Sequence, residues 1–201
     1  MEIKNHSAYS EMNFNEMDFE GLEIAGCKFD RCSFQGAEME SILTRRCSFS
    51  DCNFKGARLN ASLHDASAFT NCQFQYANVF CARFTECKMI GSSFGEVNMI
   101  GLEIAGGDWS YTNLRSQNLK GLDLRHVKLV NADMSMCNLE KANLRNADLS
   151  HAVLAQANLT GADLRDAKTE GVDFKGFNLK GVLLDIAQAI SVARAYGAVI
   201  E

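Results

Sequence analysis

One frame of five residues runs through almost the whole chain. From Leu144 to Leu164 every fifth residue is Leu, and Ala stands two places before each of these leucines. Extended in both directions, the frame places a large apolar residue at nearly every fifth position from Phe14 to Leu184, in 35 pentads without insertion or deletion. This period is neither the roughly 3.6 residues of an α-helix nor the roughly 2 of a strand, so it predicts an internal repeat.

Residues that lie 20 positions apart also match one another. Two inward residues per pentad, one large and one small, predict a coil with short flat sides, and four pentads would close one square turn. Parallel backbone pairing between successive turns then places residues of the same type directly above one another, as in β-solenoids. The columns that support a 20-residue turn are Phe14, Phe34, Phe54, Phe74 and Phe94, then Phe29, Phe49 and Phe69, then Asn78, Asn98, Asn118, Asn138, Asn158 and Asn178, and finally Gly101, Gly121, Gly161 and Gly181.

The motif Ala-(Asp/Asn)-Leu, seen at Ala142-Asn143-Leu144 and Ala162-Asp163-Leu164, resembles the consensus of the pentapeptide-repeat proteins. The resemblance implies an all-β fold, a right-handed quadrilateral β-helix. By length, unbroken frame and helical tail, the chain looks most like the MfpA and Qnr group. That resemblance implies a protein that binds DNA gyrase or topoisomerase IV by imitating DNA and protects the enzyme from quinolones.

The chain divides into two parts. Residues 1–184 are predicted to form the β-helix, with the poorly patterned first dozen residues as an amino-terminal cap. Residues 185–201 leave the frame, and Asp185 with Gln188 forms a capping-box pattern that predicts a short C-terminal α-helix ending near Gly197. The family resemblance implies a homodimer through this segment; a simple monomer cap is the alternative. The predicted dimer residues are Ile186, Ile190, Ala193, Tyr196, Val199 and Ile200.

Composition argues against several classes of function. Seven of the eight cysteines stand two places before a pentad centre, which predicts small buried side chains rather than a metal site or disulfides. No motif for a nucleophile, a phosphate loop or a metal is present, so we expect no catalytic residues, no metal and no cofactor. The net charge of -5 disfavours direct nucleic-acid binding through a basic patch. No apolar run of about 20 residues occurs and the start lacks a signal-peptide core, so we predict a cytoplasmic protein without a membrane segment.

Acidic residues concentrate near the amino end. Between residues 11 and 40 the chain holds eight acidic against two basic side chains. Further along, acidic residues recur on one side of the predicted rod, but Arg125, Arg145 and Arg165 stand beside them. The predicted acidic partner-binding surface consists of Glu16, Asp18, Glu20, Glu23, Glu38, Glu40, Glu103, Asp123 and Asp163.

Two neighbouring turns depart from the frame. Polar Thr44 and His64 occupy pentad centres, and each follows a Leu, at Leu43 and Leu63. We expect a backbone bulge that turns both leucines inward and pushes the polar residues out, giving either a contact patch or a tolerated irregularity. The stacked apolar residues one place after a centre would add a sticky strip. The predicted patch contains Thr44, Arg45, Arg46, His64, Asp65, Phe80 and Ile100.

Two functional hypotheses follow. The first is DNA mimicry, in which a dimeric acidic rod occupies the basic surface where a type II topoisomerase holds its duplex. The second is a pentapeptide-repeat scaffold that binds an unrelated protein. Recovery of topoisomerase subunits or of another protein from lysate discriminates between them.

Overall fold

The computed structural model describes residues 3–200, and it shows one coil that advances 20 residues per turn. Every recorded bridge between turns is parallel, from Ala8 with Lys28 at the amino end to Asp163 with Leu183 near the carboxyl end. The frame of five and the 20-residue turn are therefore confirmed. The fold is an all-β, right-handed quadrilateral β-helix with one short α-helix.

Short strands form two of the four sides. The strands are β1 (Ala8–Ser10), β2 (Glu23–Ala25), β3 (Lys28–Asp30), β4 (Leu43–Arg45), β5 (Ser48–Ser50), β6 (Leu63–Asp65), β7 (Ala68–Thr70), β8 (Arg83–Thr85) and β9 (Glu103–Ala105). They pair in the orders β1-β3-β5-β7 and β2-β4-β6-β8-β9. The other two sides are held by isolated parallel bridges, such as Asn13 with Ser33 and Asp18 with Glu38. Below, each side is named after one inward residue: the Phe34, Met39, Thr44 and Phe49 sides.

The pentad dictates which side chains point inward. Its central residue and the residue two places earlier face the core, and the residue two places after the centre turns the corner. That corner residue adopts a left-handed φ, as at Arg31 (φ 49°) and Gly36 (φ 63°). The strain at a non-glycine corner is offset by pairing with the next turn; the Arg31 N–H donates to the Ser50 carbonyl at 2.9 Å.

Aromatic rings stack along the amino-terminal half of the core. The ring of Phe54 lies 5.0 Å from those of Phe34 and Phe74, with interplanar angles of 4°. Burying each ring contributes about 1.5–3 kcal/mol, and favourable ring pairs add about 0.5–1.5 kcal/mol. The column ends where Trp109 stacks on Phe94 at 5.5 Å, and beyond this point leucines fill most of the core centres.

The coil begins earlier than the frame counted from Phe14 indicated. Strand β1 pairs with β3, and the ring of Tyr9 stacks on Phe29 at 5.1 Å, so the pentad frame extends into the first dozen residues. The amino-terminal cap is therefore shorter than the dozen residues predicted, and its first two residues lie outside the described part of the chain.

The predicted bulge at the irregular turns is wrong. Strands β4 and β6 keep the regular register, with Leu43 opposite Leu63 and Thr44 opposite His64. Thr44 and His64 point into the core with exposures of 0% and 2%, while Leu63 is 45% exposed. A bulge would have broken ladder hydrogen bonds on both neighbouring turns, whereas the two polar side chains satisfy each other inside.

A helix closes the carboxyl end, as predicted. Helix α1 (Ile186–Ala195) begins with a capping box between Asp185 and Gln188. The buried Gln188 amide also donates to the carbonyls of Leu164 at 2.5 Å and Ala167 at 2.9 Å. Helix α1 thereby satisfies part of the open edge of the last turn. Among the described residues, no helix has the length and apolar character needed to cross a membrane.

Candidate partner-binding surface

Five carboxylates cluster on two successive turns at the amino end. Asp18 and Glu38 are bridge partners on the Met39 side, Glu20 and Glu40 lie two places after them, and Glu16 occupies the adjoining corner. Glu16, Asp18 and Glu20 are exposed. Within residues 3–200 none of these three forms an ion pair. We call these five residues the acidic cluster.

The next turn partly neutralises the acidic cluster. One nitrogen of Arg58 lies 3.0 Å from the Glu38 carboxylate and 3.8 Å from that of Glu40. The unbalanced negative charge therefore lies towards the amino-terminal tip, on the first of the two turns.

The acidic residues predicted on the Thr44 side do not form a free negative line. Asp123 and Asp163 each pair with the arginine two places later at 2.7 Å, and Glu103 pairs with Arg83. Hydrogen bonds from Arg125 and Arg165 hold the pKa of Asp123 and Asp163 below their ordinary value. Glu23 similarly lies 3.5 Å from Arg45. This side presents paired charges.

The predicted contact patch is split by the structure. Arg45, Arg46 and Asp65 are exposed on or beside the Thr44 side, but Thr44 and His64 face the core and are not available to a partner. Burial lowers the pKa of His64 from 6.5 to about 3, so the ring is neutral at physiological pH.

The predicted sticky strip lies on the Met39 side, beyond the acidic cluster. Phe80 and Ile100 occupy equivalent places on successive turns and are 44% and 65% exposed. Their apolar side chains share a side of the rod with the carboxylates. The Met39 side therefore carries negative charge near the amino end and apolar surface further along the coil.

The C-terminal segment leaves apolar side chains uncovered. Val192 and Ala195 of α1 pack against the core, whereas Ile186 and Tyr196 are 81% and 65% exposed. Val199 is 88% and Ile200 is 37% exposed; Ile190 and Ala193 are partly buried.

Most of the cysteine side chains are packed in the core as small apolar groups. All eight cysteines are free, and all except Cys81 are buried. Burial raises the pKa of Cys47 to about 11 and that of Cys87 to about 12, so these thiols remain protonated and unreactive at neutral pH. Among residues 3–200, no three His, Cys, Asp or Glu side chains converge as a metal site would require.

Comparison with known proteins identifies relatives of the repeat and of the fold. Residues 110–146 and 137–181 match the family described as pentapeptide repeats, in eight copies. A trypsin-treated variant of QnrB1, a plasmid-mediated fluoroquinolone resistance protein, superposes with a TM-score of 0.87 at 22% identity, over 98% of this chain and 99% of that chain. Full-length QnrB1 gives 0.67 at 21% identity, over 95% and 100%. No curated protein matches the sequence. Residues 110–181 therefore carry repeats that match the pentapeptide-repeat family, and the fold of the chain is a β-helix of the kind seen in QnrB1.

Proposed function

We propose that this protein binds a type II topoisomerase, DNA gyrase or topoisomerase IV, in place of DNA and protects the enzyme from quinolones. The fold similarity to a fluoroquinolone resistance protein extends over nearly the whole of both chains, which supports the assignment. The filled core leaves only the outer surface and the ends for a partner, so the activity is binding rather than catalysis.

The acidic cluster is the observation that carries the proposal. Turns of a β-helix rise by about 4.8 Å, so the three unpaired carboxylates of the first turn, Glu16, Asp18 and Glu20, amount to about one negative charge per 1.6 Å of rod axis over that turn. Duplex DNA carries one charge per about 1.7 Å. A basic surface that holds DNA phosphates would thus meet a similar charge density on the Met39 side of this rod.

We infer that the protein works as a homodimer joined through α1 and the tail. The uncovered side chains of Ile186, Tyr196 and Val199 form an apolar end surface that a second copy can cover. Joining the carboxyl ends places both acidic clusters at the outer tips of a longer rod. Such a rod could contact two equivalent subunits of a dimeric enzyme.

We place the protein in the cytoplasm, where its proposed enzyme partner acts. Eight cysteines remain as free thiols in this fold, which suits a reducing compartment.

Supercoiling and quinolone-induced cleavage by purified gyrase and topoisomerase IV test the proposal. The variant Glu16→Gln/Asp18→Asn/Glu20→Gln removes the unpaired part of the acidic cluster. We expect it to weaken inhibition or protection by about 10-fold or more, and added salt to weaken the unmodified protein towards the same level.

A matched control removes the same amount of charge elsewhere. Asp51→Asn/Glu96→Gln/Glu170→Gln changes three exposed carboxylates that lie outside the acidic cluster, and it should retain the full effect. Equal loss in both variants would show that only net charge matters. No effect of the unmodified protein at tens of micromolar on either enzyme would reject the topoisomerase proposal and favour an unrelated protein partner.

The exposed arginines of the contact patch need a separate test. Arg45→Glu with Arg46→Glu reverses two charges next to the proposed binding side. If these residues contact the partner, inhibition changes although the acidic cluster is intact; unchanged inhibition removes them from the binding surface.

A further inference from the structure

Among the described residues, the ladder between turns is interrupted in the middle of the coil and again at the last turn, where the Leu154 and Leu159 N–H groups reach no carbonyl of the following turn. On the Met39 and Thr44 sides, residues 96–106 and 116–126 lie in successive turns but do not pair. The N–H groups of Met99, Gly101, Ile104 and Gly106 would regularly donate to the next turn, yet within residues 3–200 they reach no carbonyl of it. The turns before and after are regular: the Val79 N–H donates to Asn98 at 3.1 Å.

Both edges of this gap therefore carry unused hydrogen-bonding groups. The amides of Asn118 and Asp123, which would bond back to the earlier turn, also find no backbone partner among the described residues. Backbone groups without partners at the edge of a sheet are a template for another strand.

The other two sides hold the same turns together. The Phe94 N–H donates to the Asn113 carbonyl at 2.9 Å, and the Trp109 N–H donates to Lys128 at 2.7 Å. The gap is thus a slot that opens on two adjacent sides and is closed by the other two. It lies where the phenylalanine column ends, beside Gly107 (φ 92°), at which a Cβ would collide with the Cys87 carbonyl.

The slot is a cavity whose walls are partly polar, at Asn98 and Asn118, and partly apolar. The part on the Met39 side has a volume of about 610 Å³ and is lined by residues 97–102 and 118–122. Two further cavities, of about 420 and 490 Å³, continue it along the Thr44 side to Gly106 and His126. Met99, Leu102 and Leu122 contribute apolar surface, and the volume lies in the range of ligand-binding clefts.

Three charged side chains at the slot are already paired. Lys120 lies 2.9 Å from Glu140, Arg125 lies 2.7 Å from Asp123, and Glu103 pairs with Arg83. Glu86 and Glu96 form no ion pair within residues 3–200, so the remaining charge is negative and does not favour a phosphate or another anion there. The unpaired backbone N–H groups recur at regular intervals along an extended chain. The ligand that matches them is another extended peptide backbone, which carries carbonyl groups at the same spacing.

We propose that the slot binds an extended, uncharged-to-weakly-charged peptide segment of a partner protein, by backbone pairing with one or both edges. Small apolar side chains of the segment would enter the space beside Leu102 and Leu122. The exposed Ile100 at the mouth would contact the segment as it leaves the slot. This binding site is separate from the acidic cluster and does not depend on the topoisomerase proposal.

The probe is a synthetic decapeptide with blocked ends that copies residues 157–166 of this chain, ANLTGADLRD. Its parent segment forms the Met39 and Thr44 sides of a turn that pairs with the preceding turn on both sides, so its side chains suit these walls. Amide hydrogen exchange by NMR is measured on the full chain with and without the peptide. In the free protein, we expect the amides of Met99, Gly101 and Ile104 to exchange at least about 100-fold faster than that of Leu139. Saturating peptide should slow them by at least about 10-fold.

Two controls separate backbone pairing from simple apolar contact. A peptide of the same sequence with an N-methyl group on every residue loses all its backbone donors and should not bind. Ile100→Asp should weaken peptide binding by about 10-fold, whereas Val153→Asp, at an exposed place on the Phe34 side, should leave it unchanged.

Three results would overturn the proposal. Slot amides that are as protected as Leu139 in the free protein would mean that the turns pair in solution. Equal binding of the N-methylated peptide would remove backbone pairing as the cause. Absence of peptide binding at about 1 mM, the weak end of measurable affinity, would mean that the slot does not accept a strand.

Discussion

The hydroxyl oxygen of Thr44 lies 2.8 Å from Nδ1 of His64, one turn away inside the coil. Nε2 of the same ring lies 3.0 Å from the Ser62 hydroxyl, and Thr44 also lies 3.0 Å from the Ser67 hydroxyl. This buried network occupies two places that the repeat reserves for large apolar residues. It stays in the core because each polar group has a partner there.

The first prediction concerns pH. The pKa of His64 falls from 6.5 to about 3 on folding, so between these values the unfolded chain binds a proton that the folded chain does not. Stability is therefore complete above about pH 6.5 and falls with decreasing pH, by about 1.4 kcal/mol per pH unit. Urea unfolding should show about 2 kcal/mol less stability at pH 5 than at pH 7.

Variants identify the group responsible. His64→Gln keeps hydrogen-bonding capacity without titrating, and it should remove most of the pH dependence between 7 and 5. His126→Gln changes an exposed histidine and should retain that dependence. The same slope in all three proteins would contradict the assignment to His64.

The second prediction tests whether Thr44 and His64 act as a pair. Thr44→Val or His64→Phe alone leaves a buried partner unsatisfied and should cost about 1–3 kcal/mol. The double variant removes both groups, and its new ring can stack on Phe84, which already lies 4.6 Å from the His64 ring. In urea unfolding, the double variant should lose about 0.5–3 kcal/mol less unfolding free energy than the two single variants lose in total. Additive losses would mean that the two residues are not coupled.

The third prediction compares one residue type in two places. Phe54→Ala removes a fully buried ring that stacks on rings of both neighbouring turns, so we expect a loss of about 3–5 kcal/mol in unfolding free energy. Phe80→Ala trims a ring that is 44% exposed and should change stability by no more than about 0.5 kcal/mol. Similar losses at both sites would contradict the inward and outward assignment.

The fourth prediction concerns the closure of the last turn. Gln188→Leu removes the amide that donates to the carbonyls of Leu164 and Ala167. Each carbonyl left without this donor should lower the unfolding free energy by about 1–3 kcal/mol. Amide exchange should accelerate in α1 and in residues 162–168, with smaller effects near the amino end. Asp185→Ala should cost about 1 kcal/mol through loss of the cap, whereas Asp185→Asn should cost little because Asn caps equally well. Unchanged exchange in Gln188→Leu would mean that the helix does not hold the edge.

The fifth prediction concerns the proposed dimer. Light scattering at micromolar concentration should give about twice the chain mass of 22.2 kDa for the unmodified protein. Tyr196→Asp with Val199→Asp charges the exposed apolar end and should give the mass of one chain. Val153→Asp, placed on the side of the rod, should remain dimeric. A mass near one chain for the unmodified protein would favour the alternative, a monomer whose helix is only a cap.

The regular parts of the fold could be predicted from the sequence because they follow local rules. A large apolar residue every fifth place, with matches 20 places apart, leaves few arrangements other than a stacked square coil. The capping box of Asp185 and Gln188 likewise marked the start of α1, because both of its hydrogen bonds are made within four residues. The buried cysteines followed from their place in the same frame.

The errors arose where side-chain partners come from other turns. A single pentad cannot reveal that His64 will find a hydroxyl on Thr44, so a polar centre suggested a bulge. The sequence showed Arg125 beside Asp123, but it gave no sign that Arg83, 20 places earlier, neutralises Glu103 or that the ladder opens beside Ile104, since both depend on the contents of neighbouring turns.

The sequence by itself therefore determined the period, the turn length and the inward residues, because the repeat encodes them in every five residues. Only the tertiary structure decided which carboxylates remain unpaired, which polar groups are buried and where two turns separate. These properties depend on free energies shared between residues about 20 places apart, namely hydrogen bonding, ion pairing and core volume, and the chain must be coiled before those terms exist.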